Sequence, residues 1–470
     1  MTGQKLLDRL NSAGAAAVFE KLYGESGVET ARLRYAALVR GILDDSPDGF
    51  PRSQFPETAG EMRLFTAAGR TELGGNHTDH NLGKVLAASI QMDQAAVVCP
   101  RNDNIVFYRS EGYPDVRVDL SDLSARENEK GATEALVRGI AAEFAARGIR
   151  LKGFSANAAS TVLSGSGLSS SAAVEVLFGR IFDALYGGGK LSALEIAQMG
   201  QKAENLYFGK PCGLMDQTAC ASGGAVAIDF GDAAHPVVTN IGFDLEEAGW
   251  TLCVVNTRGN HADLTPDYAA IPHEMKAAAA FFGKTVLREV DRKQVVARAA
   301  GLRKAAGDRA LLRALHFFDE NDRVDAMTAA LEDMNRAILP GDKQKALACY
   351  LDLVNESGDS SWELLQNVYA PRNPAEQGIS TALALTRNFF RSRSCKPGGG
   401  DRFASGGASV CGPVAAGACR VHGGGFAGTI QAYLPLGELE AYRQEMEEVF
   451  GADSVTVLRI RPVGAAELAL

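Results

Sequence analysis

The segment from Gly69 to Asn81, GRTELGGNHTDHN, places side chains capable of chemistry among glycines that let the chain bend. Its polar residues include Arg70, Glu72, Asn76, His77, Thr78, Asp79 and His80. Three uses suit such a composition: a polar turn, a metal site in HTDH, or a segment that binds a ligand. The metal site is disfavoured because no further ligands are arranged nearby. The polar turn and the ligand-binding segment both remain open on this segment alone.

A second segment, LSGSGLSSSAAVEVL from Leu163 to Leu177, has the composition of a phosphate-binding loop. Gly165 and Gly167 free the backbone, and the serines 169–171 precede a helix predicted from Ala172 to Tyr186. The start of a helix offers unpaired N–H groups and a positive dipole end, which suit a triphosphate. Serine hydroxyls add donors, and one can ligate Mg²⁺. A serine-capped helix after a flexible loop would show the same pattern.

Two other glycine-containing segments are poor nucleotide motifs. FFGKT (Phe281 to Thr285) ends like a P-loop, but Ala278 stands where that motif needs a glycine. GGGFAG (Gly423 to Gly428) satisfies G-x-G-x-x-G, yet TIQAYLP follows it and predicts a strand, whereas a dinucleotide motif opens a helix. The second segment is therefore a tight hairpin or a place where the backbone approaches a ligand closely.

Together these segments resemble the GHMP small-molecule kinases and, among them, the galactokinase family. GSGLSSSAA resembles the central phosphate loop, and GRTELGGNHTDHN is similar to the galactokinase signature GR-x-N-x-IGEHTDYN-x-G. PCGLMDQ (Pro211 to Gln217) resembles the segment with the catalytic aspartate, and ACRVHGGGFAG (Ala418 to Gly428) resembles the third family motif, GARMTGAGFGG. Weaker similarities lie in NHADLTPDY, LREV and NES, and the matches keep the family order over roughly residues 17 to 465.

The resemblance implies a role for each matched residue. Asp216 would take the proton from the anomeric hydroxyl of a sugar, and Arg70 would keep that aspartate ionised. Glu204 and Ser171 would hold Mg²⁺. The sugar would be bound by Asn76, His77, Thr78, Asp79, Gly213 and Tyr268. ATP would be bound by Gly165, Ser166, Gly167, Leu168, Ser169, Ser170, Ser171, Gly424 and Gly425.

The sequence departs from the family pattern mainly in the sugar-binding segment. Asn76 replaces a glutamate that usually contacts the sugar, and Glu72 replaces the usual asparagine. An amide still bonds a hydroxyl but loses the strength that charge adds. Further changes are Gly74 for isoleucine, His422 for threonine, Ala427 for glycine and Gly358 for the histidine of ESH. These changes bear on the identity of the sugar and leave the phosphoryl-transfer residues in place.

The hydrophobic pattern predicts the elements that position these residues. Two helices are expected over residues 3 to 44, followed by a proline-containing loop over 44 to 56. MRLFTAAG, KVLAASI, AAVVCP and NIVFYRS predict strands, and helices are predicted from 172 to 186 and from 191 to 208. AVAIDF and WTLCVVN predict two more strands, near a domain boundary. The second half is helix-rich from 267 to 390 and ends in a glycine- and serine-rich loop, strands ACRVHG and GTIQAYLP, a helix over 438–450 and a strand over 455–461.

The whole chain has the composition of a soluble two-domain protein. It has 470 residues, 46% of them hydrophobic and 22% charged, and a net charge of -9 that disfavours a nucleic-acid surface. No segment is apolar enough for a membrane helix, and the amphipathic start does not resemble a signal peptide. The eight cysteines show no C-x-x-C and no zinc spacing, which indicates a reducing cytoplasm. We expect a monomer or weak homo-oligomer.

The resemblance implies an α+β fold of the two-domain GHMP type, with the active site in the cleft between the domains. The expected domains are residues 1–245, with a helical extension or insertion over about 1–55, and residues 246–470. The function implied is phosphorylation of D-galactose at the anomeric hydroxyl by ATP with Mg²⁺. Two alternatives remain: a kinase of the same family for another sugar, such as N-acetylgalactosamine or arabinose, and a sensor that binds sugar and ATP without turnover.

Overall fold

The computed structural model describes residues 1–43, 61–162, 167–210, 212–259, 264–394 and 416–470. Several predictions lie outside the described residues: the loop over 44–56, the glycine- and serine-rich loop over 396–412, and the positions Gly165, Ser166 and Pro211.

The described residues form helices α1 (Gly3–Leu10), α2 (Ala13–Tyr23), α3 (Val28–Leu43), α4 (Thr133–Ala146), α5 (Ser170–Phe182), α6 (Ala193–Ala203), α7 (Met215–Ser222), α8 (Thr265–Phe281), α9 (Arg292–Ala297), α10 (Ala299–Ala306), α11 (Asp308–Arg336), α12 (Pro340–Ser360), α13 (Gly378–Ser394) and α14 (Leu439–Phe450). The strands are β1 (Arg63–Gly74), β2 (Lys84–Pro100), β3 (Ile105–Ser110), β4 (Val116–Asp119), β5 (Phe154–Ser160), β6 (Ala225–Asp229), β7 (Val237–Ile241), β8 (Trp250–Asn256), β9 (Ala418–Val421), β10 (Thr429–Pro435), β11 (Val455–Leu458) and β12 (Ala466–Leu468). Single π-helical turns continue α5, α6 and α12 at Asp183–Gly187, Glu204–Phe208 and Ser361–Leu365.

The strands of the first half form a sheet of order β12-β1-β2-β5-β3-β4, with β6 added beside β2 and β7 beside β6. Successive side chains of a strand point to opposite faces. Accordingly Phe65 and Val98 pack in the core beneath α4–α7, whereas Leu64 and Val97 pack against α1–α3. The sheet is therefore covered on both faces, which explains why its central strands β1 and β2 are almost entirely buried.

The strands of the second half form a separate sheet of order β11-β8-β10-β9. The change of sheet between Ile241 and Trp250 falls where the sequence predicts a boundary, at residue 245. The final strand β12 pairs with β1, however, so the end of the chain returns to the first sheet. One hydrophobic core contains residues of both sheets, such as Leu86 and Val254. The division into domains at residue 245 stays a prediction.

The α+β class is confirmed, and two local predictions are corrected. Residues 3–43 form three helices, because α1 ends at its C-cap Asn11, Ser12 caps α2 by accepting a hydrogen bond from the Ala15 N–H at 3.1 Å, and Gly24 ends α2. KVLAASI and AAVVCP belong to one strand, β2, in which Asp93 and Gln94 also pair with β1. Strands β4, β5, β7 and β12 and helices α4 and α7 were not predicted. None of the described helices combines the length and apolar character required to span a bilayer.

Candidate functional site

Arg70 lies on β1 where the strand meets the end of the phosphate-loop segment. The ladder between β1 and β2 shifts register between Ala68 and Arg70, where three residues of β2 lie opposite Gly69. A Cβ at Gly69 would lie 3.0 Å from the carbonyl oxygen of Leu168, so the two backbones pass in close contact. The Arg70 N–H donates to that same carbonyl at 3.1 Å, and its Nη1 donates to the carbonyl of Gly167. These two hydrogen bonds tie Arg70 to the loop.

Asp216, in the first turn of α7, pairs with Arg70. The Arg70 Nε donates to Asp216 Oδ1 at 2.8 Å, and Nη2 lies 2.8 Å from the same oxygen. The Ser169 hydroxyl donates to Oδ2. Burial raises the pKa of Asp216, but the charge of Arg70 and the Ser169 hydrogen bond outweigh it and hold the pKa below its usual value. Asp216 is therefore a carboxylate at neutral pH.

The residues before α5 form the N-terminal end of a buried helix. Ser169 has a left-handed backbone, with φ of 59°, and precedes the helix with its side chain turned toward Asp216. Ser170 and Ser171 open the first turn and are half-buried. Leu168 differs from them, since its side chain is fully buried in the core shared by the two sheets and only its backbone faces Arg70.

Glu204 begins the π-helical turn after α6 and is almost fully buried. Its Oε1 lies 3.3 Å from Lys210 Nζ, and its Oε2 accepts from Gln217 Nε2 at 2.9 Å. Gln217 Nε2 also lies 2.9 Å from Oε2 of Glu175, one helical turn after Ser171 on α5. Burial, and then the charge of Glu204, raise the pKa of Glu175 well above its usual value. Two carboxyl groups therefore converge beside the start of α5.

The HTDH segment forms a wall beside the residues that lead to Asp216. His77 has φ of 60° and donates from Nε2 to the Gly424 carbonyl at 2.9 Å. Burial, followed by the proximity of His80, lowers the pKa of His77 to about 3, so its ring is neutral. The Asp79 Oδ2 lies so close to Gly213 that a Cβ there would be only 1.7 Å from it. Gly213 is three residues before Asp216, and Asp79 thus lies beside the segment that holds the carboxylate of Asp216.

Tyr268, in the first turn of α8, joins this wall to the glycine turn over 423–428. Its hydroxyl donates to the Gly425 carbonyl at 3.1 Å, and its ring packs edge-on against Phe426 at 5.4 Å between centroids. A Cβ at Gly424 would lie 2.5 Å from the Tyr268 ring, and one at Gly425 would lie 2.2 Å from the Asn367 carbonyl. Glycine is therefore required at positions 424 and 425, because protein groups approach the backbone too closely for a side chain.

Two residues predicted to bind sugar are directed into the protein. The Thr78 hydroxyl is fully buried, 2.9 Å from the Gly75 carbonyl and 2.6 Å from the Lys84 carbonyl. The Asn76 side chain is 1% exposed and all of its polar atoms have protein partners, described below. A sugar hydroxyl would have to displace one of those partners.

Several residues that support the site carried no recognised motif. Glu320 of α11 accepts from the Gly75 N–H at 3.0 Å, and His316, one turn earlier, donates from Nε2 to the Asn76 carbonyl at 2.9 Å. Both residues are fully buried. The spacing of this His and Glu, four residues apart on a helix, was a signal available in the sequence. Such residues seldom lie in a core without a partner.

The structure thus brings Arg70, Asp216, Gly213, Asp79 and the start of α5 together, although the chain separates them widely. Within the described ranges, no three His, Cys, Asp or Glu side chains cluster as a metal site. An ion here would rely on a bound ligand for most of its coordination.

Two family models match the chain. The model of the GHMP kinases N terminal domain matches residues 135–224, which include the phosphate-loop segment, α5 and Asp216. The model of the galactokinase galactose-binding signature matches residues 52–100, which include Arg70 and HTDH. Both matches contain the residues that form the site described above.

Curated relatives are similar over most of their length. The galactokinase of Streptomyces coelicolor is 34% identical over 275 residues, which cover 57% of this chain and 69% of that protein. The galactokinase of Glaesserella parasuis is 27% identical over 419 residues, covering 86% of this chain and 93% of that protein.

Solved structures share the fold. The Lactococcus lactis galactokinase complexed with galactose superposes with a TM-score of 0.69 at 23% identity, covering 87% of this chain and 96% of that one. The Methanococcus jannaschii mevalonate kinase gives a TM-score of 0.54 at 13% identity, covering 86% and 99%. The GHMP-type fold thus extends across kinases of unrelated substrates.

Proposed function

The chain belongs to the galactokinase family, and from this premise we propose that it transfers the γ-phosphoryl group of ATP to the anomeric hydroxyl of D-galactose, giving galactose 1-phosphate and ADP. The observation that carries the proposal is the Arg70–Asp216 pair, which lies between the start of α5 and the Asp79–Gly213 contact. Phosphoryl transfer needs an oriented acceptor, a place for the phosphates and compensating charge, and these three features supply them.

For the sugar, we propose a pocket formed by Asp79, His77, Gly213 and Tyr268. A carboxylate with one oxygen at the open glycine backbone can accept from two neighbouring sugar hydroxyls. The neutral His77 ring is oriented by its bond to Gly424, and its other nitrogen would bond a sugar hydroxyl. Gly213 leaves room for this approach, since any larger residue would overlap Asp79.

For the nucleotide, we propose that the triphosphate lies at the start of α5. GHMP kinases use ATP, and the N–H groups of the first turn, with Ser170 and Ser171, offer donors at the positive end of the helix. Gly167 has φ of 71° and lies beside the His422 side chain. A side chain at position 167 would therefore reduce the space inside the loop. The backbone of Gly424 and Gly425 would form the opposite side of the cleft.

In the reaction, Asp216 would orient the anomeric hydroxyl and accept its proton. A general base acts best with a pKa near the operating pH, and Asp216 has a lowered one. The transferred group passes through a loose transition state that needs little activation of the acceptor. We therefore propose that Asp216 mainly positions the hydroxyl and takes the proton late, while Arg70 balances charge on the reacting oxygens.

For the metal, we propose that Ser171 and Glu204 hold Mg²⁺ with the phosphates of ATP. One hydroxyl and one carboxylate are oxygen donors of the kind Mg²⁺ prefers, and Mg²⁺ commonly takes only one or two carboxylates from the protein. The donors fit, because Oε1 of Glu204 is paired with the exposed Lys210, which a cation can displace. Bound Mg²⁺ would neutralise charge on the phosphates.

The test is turnover of Mg·ATP over a panel of sugars, with ADP release measured and the phosphorylated carbon identified by NMR. We expect turnover on galactose at carbon 1. Preference for N-acetylgalactosamine or arabinose would retain the kinase and change the substrate. Sugar binding without ADP release from any sugar would instead support a sensor, and Asp216→Asn serves as the inactive reference.

A further inference from the structure

The Asn76 side chain joins three parts of the chain. Its Nδ2 donates to Glu72 Oε1 at 3.0 Å and to the Gly423 carbonyl at 2.7 Å, and its Oδ1 accepts from Asn367 Nδ2 at 2.8 Å. An amide has two donor hydrogens on nitrogen, and both are used here. The bonds connect β1, the glycine turn after β9 and the end of the π-helical turn after α12.

Glu72, the first of these partners, carries the counter-charge for a buried cation. Glu72 and Arg420 form an ion pair with side-chain exposures of 3% and 0%. Within the part of the chain that the structure describes, the Nε and Nη1 of Arg420 lack hydrogen-bond partners, so Glu72 is the carboxylate bonded to this guanidinium, with the charge of Glu320 also nearby. The same oxygen, Oε1, accepts from both Arg420 and Asn76.

We propose that Asn76 is a positioning residue that locks the HTDH segment to the glycine turn, and that it does not bind the sugar. The inference rests on the proposed function, since it concerns the same sugar pocket. Asn76 bonds the Gly423 carbonyl, and the next residue, His77, bonds the Gly424 carbonyl. The Asn76 amide therefore fixes the position of the adjacent His77 contact across the same cleft.

A carboxylate cannot replace this amide. At position 76 it would face the Glu72 carboxylate and the Gly423 carbonyl, where the amide now donates to both. The hydrogen bonds from position 76 to Glu72 and Gly423 would be lost and two carboxyl groups would face each other, and buried acceptors that lose donors are costly. Glu72 and Asn76 therefore form one unit: the carboxylate at 72 compensates Arg420 and requires a donor at 76.

A double-mutant cycle tests this unit. We expect Asn76→Asp to lower kcat/KM for galactose by about 100-fold, through loss of two hydrogen bonds in a buried site. Glu72→Gln alone should also lower it, because Arg420 loses its counter-charge. In the Asn76→Asp background, however, Glu72→Gln should raise kcat/KM by about tenfold, because it restores an amide beside a carboxylate. Asn335→Asp is the matched control, since Asn335 makes a similar bond to the Gly242 carbonyl at 2.7 Å on the exposed surface.

The direction in which Glu72→Gln changes kcat/KM in the Asn76→Asp background decides the result. If Glu72→Gln lowers kcat/KM in both backgrounds, the expected reversal of sign is absent and the proposal is wrong. Asn76→Glu should also weaken galactose binding, and tighter binding would show that position 76 contacts the sugar.

A measurement without substrate separates this inference from the proposed function. Asn76→Ala should lower the Tm of the ligand-free protein by several degrees and raise the KM for galactose more than that for ATP. A residue that only contacts sugar would leave the ligand-free Tm unchanged, and that outcome overturns the proposal. If the wild-type protein turned over no sugar, the proposed function would fail, while the same double-mutant cycle of Glu72→Gln and Asn76→Asp, measured as the Tm of the ligand-free proteins, would still test their coupling.

Discussion

Two opposing effects act on the carboxyl group of Asp216. Burial favours its protonated form, while the bonds from Arg70 and Ser169 favour the carboxylate and prevail. The group is thus held ready to orient a hydroxyl at all pH values near neutrality.

We expect Asp216→Asn to lower kcat by about 10²–10⁴-fold, because the amide cannot accept a proton from the sugar. The Kd for galactose, measured by calorimetry, should stay within a few-fold, since the sugar is held mainly by the HTDH wall. Asp325→Asn, which alters an exposed pair with Lys84, is the control. Retained kcat in Asp216→Asn would remove the role assigned to this residue.

His77 carries a neutral ring whose lowered pKa has a consequence for stability. An unfolded histidine titrates near 6.5, whereas the folded ring does so at about 3. Between these values the unfolded state binds a proton that the folded state does not, so stability falls as pH decreases from 6.5. We expect a loss of about 1–2 kcal/mol between pH 7 and pH 5 from this residue.

The measurement is the free energy of unfolding by urea at several pH values, compared with His77→Asn. Asparagine tolerates the left-handed backbone at this position but does not titrate, so the variant should show a smaller pH slope over that range. Equal slopes in the two proteins would mean that the His77 ring is not kept neutral by the fold.

At the scale of elements, the close approach of the Gly213 segment to HTDH shapes the sugar pocket. We expect Gly213→Ala to raise the KM for galactose at least tenfold. The added Cβ would lie 1.7 Å from Oδ2 of Asp79, so the Asp79 carboxylate would have to move. The KM for ATP should change little. Gly341→Ala is the control, since its Cβ would meet nothing within 4 Å in the first turn of α12. Unchanged KM in Gly213→Ala would show that Asp79 is not part of the sugar pocket.

The elements also show how far the sequence leads. Hydrophobic patterns predicted α5, α6, β1, β3 and β6, because each of these segments carries its own local pattern. They divided β2 in two because Gln91, Asp93 and Gln94 are polar, although Asp93 is buried and paired with two arginines from distant parts of the chain. Strand β12 has only three residues and exists through pairing with β1, so no local pattern predicts it.

The same limit applies to the site. The motifs predicted that Arg70, Asp216 and HTDH belong together, since each matches a segment of a known family. The partners of Asn76 could not be predicted, because Gly423 and Asn367 lie 347 and 291 positions away in the chain. The sequence shows that Glu72 and Asn76 depart from the family pattern. The physical reason for this exchange could be inferred only from the position of Arg420.

At the scale of the whole molecule, the N-terminal helices and the last residues of the chain meet at one buried carboxylate. Asp93 is fully buried, with Arg34 Nη2 at 2.5 Å from Oδ1 and Arg461 Nη1 at 3.0 Å from Oδ2. The hydroxyl of Tyr23 donates to Oδ2 at 2.6 Å. Helices α2 and α3, strand β2 and the segment before β12 are therefore joined at a point on the face of the sheet covered by α1–α3.

We expect Asp93→Asn to lower the free energy of unfolding by about 3–5 kcal/mol, because it leaves Arg461, which is fully buried, without its counter-charge. Burial raises the pKa of Asp93, but the two arginines outweigh it and lower that pKa overall. A lowered carboxyl pKa gives stability that is complete above the unfolded value near 3.9 and is lost as pH falls through the folded value. The loss of unfolding free energy in Asp93→Asn should thus be constant from pH 7 to pH 5, where the His77 contribution changes.

Urea denaturation measures this loss. The control is Asp115→Asn, which alters an exposed partner of Arg109 and should cost no more than about 1 kcal/mol. Because Asp93 lies on the far side of the sheet from Asp216, kcat of the folded variant should match the wild type; equal stability of the two variants would mean that the N-terminal helices are held by apolar packing alone.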